Sequence, residues 1–185
     1  MSLIVRTPPA EEPVSLAAAK LALRIAHSEE DAVIATLSAA AREAVEAACG
    51  LALVTRSVRE RMDAWRVAGP GQAALALGPV TAVEAVRVAD TAGVLQPLAA
   101  GAFAVDGESR PPRLRFAQGL PLPAVPFAGL EVDYAAGFGS ASAVPAGLRQ
   151  AVLLTVARLY ETGQADQSIP QKALELIAPY RRLKL

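Results

Sequence analysis

The chain has 185 residues with 18 basic and 18 acidic side chains, so its formal net charge is zero. At 53% hydrophobic and 19% charged residues, the composition excludes a disordered tail and a nucleic-acid binder that works through bulk positive charge. Zero net charge also leaves little self-repulsion between copies, which favours association wherever apolar surface is exposed.

The opening MSLIVRTPPAEEP lacks the basic and sustained apolar regions of a signal peptide, and no run reaches the ~18 apolar residues of a membrane span. The chain therefore reads as made and used without secretion. The first helix signal is VSLAAAKLALRIA, in which Ser15 can cap the free amides and Leu16, Ala19 and Leu23 share a face, ending near His27. A second helix is expected from Ser28 as N-cap, with Asp31 three residues on as in a capping box and Glu29 and Glu30 at the positive end of the dipole. Ile34, Leu37, Ala41, Ala44 and Ala48 then recur at helical spacing until Gly50 stops the helix. This stripe is mostly alanine, which permits close approach but buries little area, so the helix needs neighbours.

Beyond Gly50 the period changes to that of strands. VTRSVRERM alternates, AVEAVRVAD has a half-buried pattern, and turn signals at Asp90 to Gly93, Gly101, Asp106-Gly107 and Pro111-Pro112 separate AFAV and RLRF. LEVDYAAG places Leu130, Val132 and Tyr134 on one face, with Glu131 and Asp133 on the other. The proline-rich LPLPAVP reads as an extended connector. Helix resumes after Val144-Pro145, where the missing N–H of proline does no harm. In AGLRQAVLLTVARLYETG one side carries Leu148, Val152, Thr155 or Val156, and Leu159, while Leu153, Leu154, Ala157 and Tyr160 extend the apolar surface around the helix. Such a helix is covered on more than one side. A short helix over about 170–178 precedes the basic ending YRRLKL. The expected class is α+β, mainly α: a single domain over 1–185 with helices in 14–50 and 145–179 packed together, a small antiparallel β-rich insertion at about 51–137, and a tail at 180–185.

Catalytic chemistry is poorly supported. Cys49 and His27 are the sole cysteine and histidine, which excludes an internal disulfide and a Cys/His zinc set. As a thiol and base they lack the surrounding motif of a catalytic pair; a core cysteine and a histidine before a helix cap is the simpler reading. Glu131 and Asp133 have the spacing of an acid/base pair, yet such charges usually mark the solvent side of a sheet edge. Gly137 and Gly139 give GxG after a strand without the rest of a dinucleotide fingerprint. Arg56, Arg59, Arg61 and Arg66, and then Arg110, Arg113 and Arg115, could touch phosphate. Interleaved Glu60, Asp63 and Glu108 argue for a mixed solvated surface instead, and aromatics at 4% give no stacking platform. The residues thus point to no enzyme, no cofactor and no metal.

Four stretches, in order, carry a resemblance. VSLAAAKLALRIAHSEEDAVIATLSAAAREAVE, LGPVTAVEAVRVADTAG with the later AFAVD, DYAAGFGSASAVPAGLRQAVLLTVARLYE, and IAPYRRLKL are together similar to the gp6-like head-tail connector (adaptor) proteins of long-tailed bacteriophages and related gene transfer agents. The resemblance implies a structural protein made in the bacterial cytoplasm and placed at the head-tail junction. It implies a ring of copies, typically dodecameric, between the portal and the stopper or tail-completion proteins, with double-stranded DNA passing through the channel without sequence recognition. Tyr180, Arg181, Arg182, Leu183, Lys184 and Leu185 become a candidate portal-binding tail. Leu153, Leu154, Ala157, Tyr160, Ile34, Leu37 and Ala41 become candidate subunit-interface or core residues, since a ring needs two different patches per copy. The alternative is a small monomeric or dimeric protein-binding module without a role in a particle.

Overall fold

The computed structural model describes residues 2–63, 71–120, 123–163 and 168–181. Its first half runs β1 (Ser2–Val5), α1 (Leu16–Leu23), α2 (Asp31–Cys49), β2 (Arg56–Met62), β3 (Gln72–Ala74) and β4 (Val80–Ala89). There follow β5 (Leu95–Pro97), β6 (Phe103–Asp106), β7 (Arg113–Phe116), β8 (Leu130–Ala136), α3 (Ala146–Glu161) and α4 (Gln171–Ile177). The class is α+β, with four helices and two antiparallel sheets among the described residues. No described helix is long and apolar enough to cross a membrane.

The chain divides into two compact units. One takes 9–54 and 138–181 and holds the helices; the other takes 2–8 and 55–137 and holds the strands. The limits of the two units differ from the sequence expectation in two details. The opening residues form a strand of the sheet unit, and the helical unit extends through Val54 rather than stopping near Gly50. The second has a plain cause: Leu51, Leu53 and Val54 are buried in the helical core, and the amide of Leu53 donates to Glu46 Oε1 at 2.8 Å.

Within the helical unit, Ser15 caps α1 as its sequence position suggests, accepting the amide of Ala18 at 3.2 Å. The helix ends earlier than expected. Arg24 takes a left-handed conformation at φ 59°, and the amides of Arg24 and Ile25 return to the carbonyls of Leu21 and Lys20, closing the orphan acceptors of the last turn. The expected cap of α2 at Ser28 is not what forms. The helix starts at Asp31 with Glu30 in the cap position and no side-chain cap bond, after a turn in which the carbonyl of Ser28 accepts the amide of Asp31. Gly50 ends α2 at φ 66°, a conformation that side chains disfavour. Ile34, Leu37, Ala41, Val45 and Cys49 of α2 join Leu148, Ala151, Val152, Val156 and Leu159 of α3, with Ala173 and Ile177 of α4, in one buried core. Arg42, 6% exposed, is held in this unit by Glu12 at 2.9 Å and Glu46 at 3.0 Å. Burial pulls its pKa down, but the hydrogen bond to Glu12 and the charge of Glu46 outweigh it, so the pKa is raised.

The sheet unit has a five-stranded sheet in the order β1-β2-β8-β4-β5 and a three-stranded sheet in the order β3-β7-β6. β8 lies between β2 and β4, with Asp133 opposite Arg59 and Ala85, and Glu131 opposite Arg61 and Arg87. Side chains alternate across a strand, so Val58, Val86, Val88, Leu130, Val132 and Tyr134 share one face, and all are buried. Glu60 belongs to that same face and is fully buried. It accepts the Tyr134 hydroxyl at 2.9 Å and the amide of Ala76 at 2.8 Å, while Tyr134 in turn accepts the amide of Leu77 at 3.3 Å. A carboxylate can stay buried there because its oxygen meets donors. The reading of Glu60 as a solvated surface charge is therefore overturned.

Candidate functional site

The residues singled out for bond-making chemistry occupy unrelated places. Cys49 is 1% exposed and belongs to the helical core. His27 lies in the turn before α2, half exposed and 3.5 Å from Glu29. Gly137 and Gly139 follow β8, and Gly139 has φ 118°, which suits a sharp turn rather than a phosphate cradle at a helix start. Among the described residues no group of three or more His, Cys, Asp or Glu side chains could hold a metal ion.

Glu131 and Asp133 do come together, but as ion-pair partners. They are 2% and 1% exposed on the central strand, not on a solvent-facing edge, which corrects the sequence expectation. The reason is the register. Arg59 from β2 grips Asp133 with two bonds, Nε to Oδ1 at 2.6 Å and Nη2 to Oδ2 at 2.7 Å. Arg87 from β4 donates Nη1 to Glu131 at 2.8 Å and to Asp133 at 2.9 Å. Arg61 reaches Glu131 at 2.8 Å, and Arg6, just beyond β1, reaches Asp133 at 3.3 Å and Glu84 at 3.2 Å. The forked guanidiniums cover the two carboxylates across three strands. Asp133 is held down to a pKa of about 2, foremost by the hydrogen bond from Arg59, with Arg87 adding to it and burial opposing. With basicity this low and its oxygens held by arginines, Asp133 is poorly suited to act as a general base near neutral pH. Arg66 lies outside the described residues.

The assembly candidates divide as well. Ile34, Leu37 and Ala41 are 0%, 3% and 0% exposed and face the core of their own unit. Leu153, Leu154 and Tyr160 are half-buried against that core, and Ala157 is half-buried. The Tyr160 hydroxyl donates to Glu30 at 2.7 Å, which ties α3 to the start of α2 and raises the tyrosine pKa. Of the tail, Tyr180 ends a short 3-10 turn after α4 and Arg181 is exposed, its amide returning to the carbonyl of Ile177 at 3.1 Å. Arg182, Leu183, Lys184 and Leu185 lie outside the described residues.

What the sequence reading missed is the concentration of exposed apolar side chains on β1. All four of its residues are exposed, with Leu3, Ile4 and Val5 at 39%, 45% and 49%. The remaining exposed large hydrophobics among the described residues, Leu21, Val33, Val94, Val105 and Phe127, are scattered in sequence. The run SLIV carries the signal, being short, apolar and free of charge, but it sits ahead of a proline-rich stretch that reads as a leader to the first helix.

Comparison with known proteins gives one consistent answer. The family description phage gp6-like head-tail connector protein matches residues 13–94. A chain from the neck of an empty GTA particle, computed with C6 symmetry, is 33% identical with a TM-score of 0.83, covering 100% of this chain and 97% of that one. A chain from the neck of a native GTA particle, computed with C12 symmetry, is 32% identical with a TM-score of 0.80, and covers the same shares. A third, from the virion of a native gene transfer agent particle, is 32% identical with a TM-score of 0.81 over the same shares. None of the curated proteins matches.

Proposed function

The chain belongs to the gp6-like head-tail connector family, and from that premise we propose that it is a structural, non-catalytic connector at the neck of a phage or gene transfer particle. Twelve copies form a ring in this reading, one side of which receives the portal and the other the stopper or tail-completion proteins. Duplex DNA passes through without sequence recognition. Both units of the chain act as parts of one connector domain. The observation that carries the reading is whole-length similarity, at 32% identity, to a chain in a neck of C12 symmetry. Two features of the molecule support it. The carboxylates best placed for chemistry are locked in ion pairs, and zero net charge avoids a strongly basic channel in which phosphate contacts would accumulate and retard DNA.

Electron microscopy of the purified protein mixed with portal rings tests this directly. A twelve-fold ring seated on the portal is expected; a monomer or dimer that leaves portal rings bare overturns it. The tail, Tyr180 to Leu185, is assigned to the portal, docking as a short basic and leucine-bearing peptide. Tyr180 also packs against the helical core, so the test removes 182–185 alone: the thermal melt is expected to be unchanged and capture of the protein by portal rings reduced, whereas full capture by the truncated chain removes the tail from the interface.

A further inference from the structure

We propose that neighbouring copies in the ring are joined by strand addition, β1 of one copy pairing antiparallel with β6 of the next. This rests on the ring reading above, and the experiments below separate the two.

The argument begins with how the molecule treats its sheet edges. An unpaired edge invites another strand, and proteins blunt such edges with proline, bulges or very short strands. β5 has Pro97 in a position turned away from β4, since the amide of Leu98 bonds Val86 and the donors alternate. The first half of β4 carries register irregularities at Val80/Ala82 and Val83/Ala85. β3 is three residues long. β1 and β6, four residues each, carry neither a proline nor a register irregularity; the outward row of β6 is open as far as Val105, and just beyond the strand the carbonyl of Gly107 accepts the amide of Val80 at 3.3 Å.

The two open edges match. The amide of Arg6 bonds the carbonyl of Ser57, so along β1 the amides of Ser2 and Ile4 turn toward β2, and those of Leu3 and Val5 turn outward. The amide of Ala117 bonds the carbonyl of Ala102, so along β6 the amides of Ala104 and Asp106 turn toward β7, and those of Phe103 and Val105 turn outward. Each strand thus presents two outward donors and acceptors on apolar residues. An antiparallel pairing that sets Leu3 opposite Val105 and Val5 opposite Phe103 satisfies all of them, and places the large side chains in cross-strand pairs on a shared face. Val105, 44% exposed, and Leu3 would be covered together. Because β1 and β6 are different patches, the contact is head-to-tail and propagates into a ring rather than closing as a dimer. Zero net charge leaves no electrostatic barrier to it.

Proline at an outward-turned position removes an added strand's donor without touching the existing ladder. Val5→Pro and, on the receiving edge, Val105→Pro are therefore expected to lower ring formation on portal rings about tenfold or more, with the circular dichroism melt close to that of the parent. Ile4 would face Ala104 in the closer, non-hydrogen-bonded kind of pair. The double variant Ile4→Cys/Ala104→Cys should then yield a disulfide-linked ladder of multimers on mild oxidation of assembled rings, with buried Cys49 silent. Rings of normal yield from both proline variants, with no ladder, overturn strand addition while the ring reading stands. Covalent dimers from Ile4→Cys alone overturn it in favour of β1 pairing with β1. If the parent chain forms no ring on the portal, the functional reading fails and this inference with it.

Discussion

The helical unit and the sheet unit handle apolar surface in opposite ways. In the helical unit the long stripes of α2 and α3 meet one another, and among the described residues only Leu21 and Val33 remain as exposed large hydrophobics there. In the sheet unit the apolar faces are also buried, yet Leu3, Ile4 and Val5 stand exposed on an edge whose backbone lacks a partner strand on one side. A strongly apolar helix therefore says more about closure within a chain than about association between chains, whereas a modest four-residue strand can be the more adhesive feature. Hydrophobic burial is non-directional and is completed wherever a neighbour is available. An open edge is directional and awaits a partner of a particular geometry.

The largest effect should come from opening the closed side of this comparison. Leu148 is fully buried in the helical core, and Leu148→Ala should cost about 3 kcal/mol in urea denaturation, from lost transfer energy plus the cavity left behind. If stability holds while ring assembly is lost, α3 serves an interface and the contrast between units is mistaken. Next comes Glu60→Ala in the sheet unit. It removes the carboxylate that accepts the Tyr134 hydroxyl and the amide of Ala76, and losing the acceptor of a buried donor costs about 1–3 kcal/mol. A fall in stability of about 2 kcal/mol or more by the same measurement is expected.

These two sites also show what the sequence could disclose. The periods of α2, α3, β2, β4 and β8 were legible, because alternation and 3.6-residue spacing follow from backbone geometry alone. The position of Glu60 between Val58 and Met62 on an alternating strand already placed it on the apolar face, so its burial was available to a strict reading of the period. The burial of Glu131 and Asp133 was not, because it depends on Arg59, Arg61 and Arg87 arriving opposite them from strands distant in sequence. Register is a tertiary fact, fixed by which strands pair and where. For the same reason β1 was invisible: its strand character comes from pairing with β2, more than fifty residues away, not from its own short run. The α2 start was misplaced for a local reason, since Ser28 has the side chain of a cap yet the chain makes a further turn before the helix begins at Asp31.

A smaller and pH-dependent effect sharpens the contrast from the charged face of the sheet. Asp133 has a folded pKa of about 2, below its ordinary 3.8, so the folded state favours its ionised form. The corresponding stability is fully present above pH 4 and is lost as pH falls through the folded value, from about 4 to about 2. Asp133→Asn should therefore lower stability at neutral pH by about 2 kcal/mol and flatten that part of the acid limb in pH-dependent melts. An unchanged acid limb would show that the arginines do not stabilise the charge in the folded state.

The smallest effect belongs to Leu21, the most exposed large hydrophobic of the helical unit at 79%. It projects from α1 with every backbone partner supplied by its own turn, the carbonyl of Leu21 itself accepting the amide of Arg24. Nothing about it is directional. Leu21→Gln should change stability by no more than about 0.5 kcal/mol, as surface substitutions do, and should leave the yield of rings on the portal at the parent level. Set beside Val5→Pro, it asks whether exposed area or open backbone governs assembly. Leu21 offers more exposed surface than Val5, so loss of rings in Leu21→Gln with rings retained in Val5→Pro would make area the controlling quantity. The opposite result places the adhesive feature on the sheet edge, where an unpaired row of amides and carbonyls gives the apolar side chains a fixed register.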